Sequence, residues 1–367
     1  MSALRVTREQ VLAYRVAATG LHRRKARPAD LAVTALGVQD TPVGTARMAI
    51  AARTTADPAD DRLAMVWSAR GAPHLHRRAD LSAVAAALWP LTDADARARI
   101  DNPRIRDGAR LGLDAFVAAA TALHDVVTEP MPKGEVSGAV SARVPASLTF
   151  WCEPCGARHI SGALFQQIGV AAGVELVPGG GRSATLAPVD SWPGVPGSAA
   201  GTDELVRTYL RLLGPATATE AAAFVGTSRT ELLAVWPDGL AEVSVDGATA
   251  WLPEDALRLL RRPPEPPAVC LLPAGDPFLQ ARDRKLIAPD PSRHAELWKV
   301  LGNPGALLVD GDIAGTWRAK LAGKTTLDVS VTAFTPLPKA VRAALDAEAE
   351  RLAEVRGARQ VRVGVAG

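Results

Sequence analysis

Residues 241–252 read Ala-Glu-Val-Ser-Val-Asp-Gly-Ala-Thr-Ala-Trp-Leu, two alternating runs joined by Asp246-Gly247. A two-residue Asp-Gly connection takes positive φ at both central positions and matches the natural twist of paired strands, so a hairpin is expected here. Three capped helices are expected ahead of it. Thr202-Asp203 opens a periodic stretch over 204–213 that closes at Gly214-Pro215, and Thr217-x-x-Glu220 is a capping box before a run of alanines. Thr227 or Ser228 then caps residues 229–235. Helix, short helix, helix, hairpin is the element order of a winged helix.

The same order is legible at the start of the chain. Thr7 and Gln10 are placed to box the start of a helix over 8–21, and residues 29–36 and 44–53 read as a second and third helix. Residues 63–69 are strand-like, Arg70-Gly71-Ala72-Pro73 is a turn, and His74-Leu75-His76 returns, with a helix over 80–88 behind it. A middle segment has helices over 113–127 and 160–172 and a hairpin over 173–188 with glycines at its tip. Linkers are expected at 192–201 and 262–267, both rich in Pro. Beyond them lie short strands near 268–272, 306–309, 313–317 and 327–334, then a helix over 338–356. The expected fold is therefore α+β: tandem winged-helix domains at 1–95, 96–195 and 202–262, then a small β-rich region with a final helix at 268–367.

Composition narrows the class. At 48% hydrophobic and 22% charged residues the 367-residue chain has ordinary globular character. Its three cysteines make a disulfide framework improbable, and no apolar run reaches membrane-spanning length. A cytoplasmic protein without a membrane partner is expected, acting as a monomer. The net charge of +3 says little, but the first thirty residues hold seven basic and two acidic side chains. Such an edge suits phosphates, and it suits a solvated helix end equally.

Four stretches carry a resemblance. LGVQDTPVGTARMAIAAR (36–53), WSARGAPHLHRRADL (67–81), LLPAGDPFLQARDRKLI (271–287) and LLVDGDIAGTWR (307–318) resemble, in order, the AlkZ-like and YcaQ-like winged-helix DNA glycosylases of bacteria. The resemblance implies winged helices around a DNA channel. It also implies hydrolysis, without a metal, of the N-glycosidic bond of alkylated or crosslinked purines in double-stranded DNA, with no cofactor. The family's catalytic Gln-x-Gln or Gln-x-Asp triplet falls by position on Gln39-Asp40-Thr41, where the third residue departs from the pattern. Gln39 would hold water, Asp40 would stabilise an oxocarbenium-like cation or act as base, and Thr41 would add a hydroxyl. The same Asp40-Thr41-Pro42 run also serves as a plain helix start. A non-enzymatic DNA-binding protein or transcriptional regulator is the alternative, and a protein-interaction scaffold a third.

Candidate DNA contacts are Arg23, Arg24 and Lys25 on the basic edge, Arg70 and Arg77 on the first hairpin, Arg182 at the glycine-rich tip, and Arg282, Arg284 and Arg318 near the C-terminus. For the Arg282-Asp283-Arg284 run, pairing of Asp276 and Asp283 with these arginines is the competing reading. His74 and His76 share one strand face without a third ligand. Cys152-x-x-Cys155-x-x-x-His159 has zinc-like spacing but supplies three ligands where a structural site takes four. These cysteines are read as structural, at a strand-to-helix turn, and no metal is assigned. Trp67 and Trp151 are expected in the core.

Overall fold

A computed structural model of the chain describes residues 4–177, 184–299, 301–323 and 325–366. The chain forms two compact units, one from Met1–Asp61, Arg207–Glu220 and Asp238–Gly367, the other from Arg62–Val206 and Ala221–Pro237.

In the first unit the helix Arg8–Ala18 starts on its capping box: Gln10 N donates to Thr7 Oγ1 at 3.4 Å, and Thr7 N donates to Gln10 Oε1 at 3.2 Å. Its Val11 and Tyr14 pack on Val243, Val245, Leu252 and Leu260. The expected hairpin pairs Leu240–Val245 with Ala248–Pro253, turning at Asp246 (φ 47°) and Gly247 (φ 89°). The strand Leu4–Val6, not anticipated, adds to it in parallel with Leu4 opposite Val243.

The helix expected over 29–36 is instead two 3₁₀ turns, Pro28–Asp30 and Ala32–Ala35, separated by Leu31 in extended conformation (φ −72°, ψ 136°). The Thr34 hydroxyl donates to the Leu31 carbonyl at 2.7 Å, a local bond that competes with helix continuation.

The C-terminal region is a five-stranded sheet in the order Val269–Leu272, Gly305–Val309, Asp312–Ala322, Thr326–Ala333, Gln360–Ala366. All its pairs are antiparallel except the last, which is parallel. A parallel pair needs a crossover, and the helix Lys339–Val355 supplies it. Leu345, Ala349 and Leu352 of that helix are buried with Leu307, Leu327, Val329 and Val331. Each large side chain so buried contributes roughly 1.5–3 kcal/mol.

The second unit is mostly helical. Leu81–Leu88, Asp93–Ile100, Leu113–Val126, Lys133–Ser141 and Gly162–Gln167 surround a core in which Trp89 meets Phe116 edge-on at 5.9 Å and Trp67 meets Phe165 at 5.5 Å. The helix Asp93–Ile100 has no apolar stripe to announce it. It is held by a buried carboxylate: Asp95 pairs with Arg99 at 2.7 Å and accepts from Leu91 N and the Thr227 hydroxyl at 2.9 and 2.7 Å. The helix expected over 160–172 contracts to Gly162–Gln167, and Gly169 and Gly173 fall in the turns that follow. Hairpins pair Leu63–Trp67 with Pro73–Arg77 and Val174–Val177 with Thr185–Pro188. The glycine-rich tip 178–183, with Arg182, lies outside the described residues.

The helices Thr202–Leu213, Ala218–Val225 and Arg229–Leu233 precede the 240–253 hairpin in the expected order. Glu220 Oε2 accepts from Thr217 N at 2.7 Å, and Ser228 accepts from Glu231 N at 3.2 Å. These elements are divided between the two compact units. Among the described residues, no helix is long and apolar enough to cross a membrane.

Candidate functional site

Gln39 ends the short strand Val38–Gln39, and the chain then turns into the helix Thr45–Ala51. That helix starts at Gly44, which has no side chain to cap the exposed N–H groups. Asp40 does so from four residues upstream: its Oδ1 accepts from Gly44 N at 2.8 Å and Ala46 N at 2.9 Å. The capping reading of Asp40 is thus the geometry observed, with a negative charge at the positive end of a helix. Thr45 adds a hydroxyl bond to the Pro42 carbonyl at 2.7 Å. Thr41 is exposed, and Val43 at the turn is 91% exposed. The Gln39 amide is half-buried, and no hydrogen bond among the described residues engages it.

A buried ion pair supports this segment. Arg53, just past the helix, has both it and its partner Asp276 fully buried, with two contacts of 2.7 Å. Arg53 also donates to the carbonyls of Thr19 (2.7 Å) and Ala49 (2.8 Å), and Asp276 accepts from Phe278 N at 2.9 Å. Every charge-bearing atom of the pair is therefore satisfied, the condition under which a buried pair is tolerated. The neighbouring Gly275 lies against the site: a Cβ there would sit 3.5 Å from Gln39 Cβ and from the Thr41 carbonyl oxygen. Arg15 and Asp283 form a second such pair, with Nη1 to Oδ1 at 2.9 Å and Arg15 fully buried. Asp276 and Asp283 thus pair with Arg53 and Arg15, not with the adjacent Arg282 and Arg284. A cleft of about 500 Å³ lies on the same helix, lined by Arg47 and Met48 together with Arg23, Glu348 and Arg351.

The proposed DNA contacts differ in their commitments. Arg23 is held bidentate by Glu348 at 2.9 and 3.1 Å, while Arg24 and Lys25 are exposed. Arg70 donates to the Phe224 carbonyl and lies 5.3 Å over that ring. Arg77 pairs with Asp80 at 3.2 Å. Arg282 is half-buried, bonds to Gln280 at 3.3 Å, and burial lowers its pKa. Arg284 stacks 4.9 Å over Trp298, and the exposed Arg318 donates to the Gly302 carbonyl at 2.6 Å. Trp317 beside it is buried and donates to the Leu272 carbonyl at 2.8 Å.

His74 and His76 share a face as expected, and that face is core. His74 Nδ1 contacts the Ala72 carbonyl and His76 Nε2 the Ser68 hydroxyl, both at 2.9 Å. Burial, with a smaller contribution from the nearby Arg77 charge, pushes the His76 pKa down to about 4.

The cysteine motif sits elsewhere than expected. Cys152 and Cys155 flank the turn of a hairpin, Thr149–Cys152 with Ala157–Ile160, not a strand-to-helix junction. Trp151 on this hairpin is 52% exposed, a correction to its expected core position, whereas Trp67 is buried. The ligand-bearing atoms of Cys152, Cys155 and His159 all lie within 4.8 Å of one another.

The three-dimensional comparison gives the class: a mixed α/β fold shared with a DNA glycosylase. The structure is similar to that of Streptomyces sahachiroi DNA glycosylase AlkZ, with a TM-score of 0.75 at 19% identity over 99% of this chain and 100% of that one. The AlkZ-like family, described as DNA glycosylase AlkZ-like, matches residues 33–355, and the chain belongs to it. Among curated proteins no sequence match was found. The interior partners of Asp276 and Asp283 escaped sequence reasoning, because Arg53 and Arg15 lie more than 200 residues away and no local pattern connects them.

Proposed function

We propose that this protein is a monofunctional DNA glycosylase that hydrolyses the N-glycosidic bond of alkylated or crosslinked purines in double-stranded DNA, using winged-helix elements to hold the duplex. The observation that carries this reading is Gln39: its uncommitted, half-buried amide stands at the family's triplet position, against a turn held by a buried ion pair. A purine alkylated at a ring nitrogen carries positive charge, so the C1′–N bond breaks with its electron pair leaving on the base. The sugar is left as an oxocarbenium-like cation. The Gln39 amide orients the water that adds to C1′, whose proton passes to solvent. Asp40 is engaged through one oxygen in capping, so its part is to hold the loop and place a negative charge near the developing cation. Thr41 offers an exposed hydroxyl beside it. Arg24, Lys25, Arg284 and Arg318 are the exposed members of the proposed phosphate-contacting set, joined by Arg23, Arg70, Arg77, Arg182 and Arg282, and the protein works as a monomer without a cofactor in this reaction.

The test is single-turnover excision on duplex DNA carrying N7-alkylguanine, read as abasic sites. Wild type is expected to release the base, and Gln39→Ala to slow release by about 10²-fold with duplex affinity retained. Wild-type binding with a steep salt slope but no base release would replace this reading by that of a DNA-binding protein without glycosylase activity.

A further inference from the structure

We propose that Cys152, Cys155 and His159 bind one zinc ion, a site the spacing alone was insufficient to assign. In the antiparallel hairpin, Cys152 stands opposite Ala157 and Phe150 opposite His159. Residues directly opposite share a face, and so do residues two apart on one strand. Cys152 and His159 are therefore diagonal neighbours on one face, and Trp151 and Arg158 occupy the other. The turn delivers the third ligand. Pro154 fixes φ within the short 3₁₀ turn Glu153–Cys155, and Gly156 follows in the left-handed conformation (φ 58°), which folds Cys155 back over the face holding the other two. The result is two sulfurs and an imidazole within 4.8 Å of one another.

A second observation points to a ligand. His159 Nε2 is buried and has no hydrogen-bond partner. A desolvated ring nitrogen without a partner is costly, and a metal bond would satisfy it. The donor set selects the ion: two thiolates and an imidazole suit zinc and are poor ligands for magnesium or calcium. Among the described residues, no fourth His, Cys, Asp or Glu joins the cluster, so the fourth tetrahedral position belongs to water, which the exposure of Cys155 admits. On binding, the two thiols give their protons to solvent as the thiolate–zinc bonds form. The third cysteine, Cys270, is buried in the strand Val269–Leu272 of the other compact unit and is not part of the set.

The experiment is metal analysis of the full chain grown with added zinc and purified under reducing conditions without chelator. About one zinc per chain is expected in wild type, falling to background in Cys152→Ser and Cys155→Ser and reduced in His159→Gln. Should the serine variants fold poorly, wild-type protein stripped of metal and titrated with cobalt gives an independent reading: thiolate-to-cobalt charge transfer with tetrahedral d–d bands is expected. The proposal is overturned if wild type with both thiols titrating as free holds no zinc and gives no such bands. Retention of wild-type zinc by the serine variants overturns it too, as does a Cys152–Cys155 disulfide as the form isolated under these conditions. None of these readouts depends on glycosylase activity.

Discussion

The loop around Gln39 and the hairpin around Cys152 both gather polar side chains, and they treat them in opposite ways. Around Gln39 nearly every group has an intramolecular partner: Asp40 caps a helix, Arg53 and Asp276 satisfy each other, and backbone carbonyls take the remaining guanidinium donors. Among the described residues, what stays uncommitted there is the Gln39 amide, beside the exposed Thr41 hydroxyl. In the hairpin the ligand-bearing atoms converge, the two cysteine side chains touch only each other, and a buried ring nitrogen is left without a partner. A saturated network reads as support for a neighbouring group, whereas converging unsatisfied donors read as a place for something absent from the polypeptide.

The contrast can be broken most forcefully at Asp276. If its role is to satisfy Arg53, Asp276→Ala leaves a buried cation and should cost about 3–5 kcal/mol, measured by urea unfolding. A loss under 1 kcal/mol would show that the saturated network does not support the site. His76 tests the other side, because its Nδ1 is also buried without a partner, yet with His74 alone beside it no set of three ligating side chains forms among the described residues. Its folded pKa near 4 lies below the unfolded value, so the unfolded chain binds more protons between about pH 6.5 and 4. Stability from this residue is complete above that window and drains away as pH falls through it. The loss should be on the order of 3 kcal/mol, and His76→Leu should flatten that slope. Unchanged acid sensitivity in the variant would assign the slope to other groups.

A smaller effect is expected at Asp40. Asp40→Ala removes the one oxygen that accepts from two N–H groups and should destabilise by about 1–2 kcal/mol, while Asp40→Asn, which can still accept, should recover most of this. If the two variants unfold alike, the cap is not what Asp40 contributes. The smallest change is expected at the exposed pair Arg211–Asp255, 2.7 Å apart, where Asp255→Ala should shift stability by less than about 1 kcal/mol.

Much of the architecture is written in short-range signals. The Thr7–Gln10 and Thr217–Glu220 boxes, the Ser228 cap and the Asp246-Gly247 turn each act within four residues, and each is present as read. The failures come where tertiary context decides. Residues 29–36 have helical periodicity but bend at Leu31, and Asp93–Ile100 is a helix whose buried face sets the carboxylate of Asp95 beside just two apolar side chains, Ala96 and Ile100. The strands Leu4–Val6 and Gln360–Ala366 exist because distant edges accept them. At the candidate site, the helix-start reading of Asp40-Thr41-Pro42 is met by the two N–H bonds to Asp40, while a part for Gln39 or Asp40 in chemistry belongs to the proposed function. Trp151 was misplaced because alternation identifies a strand and not which of its faces is covered.

The parallel pairing of Leu4–Val6 with Leu240–Val245 has a consequence for how the protein is made. During synthesis the first strand leaves the ribosome more than two hundred residues before its partner. At about 5–20 residues per second this is a wait of roughly ten to fifty seconds, far longer than hairpin closure. Arg53 waits almost as long for Asp276, 223 residues further along. The second compact unit, whose segments all lie between Arg62 and Pro237, is complete before either partner is translated. Throughout that interval the nascent N-terminal segment carries an unpaired strand and an unpaired cation, the kind of exposed edge that pairs wrongly with other chains.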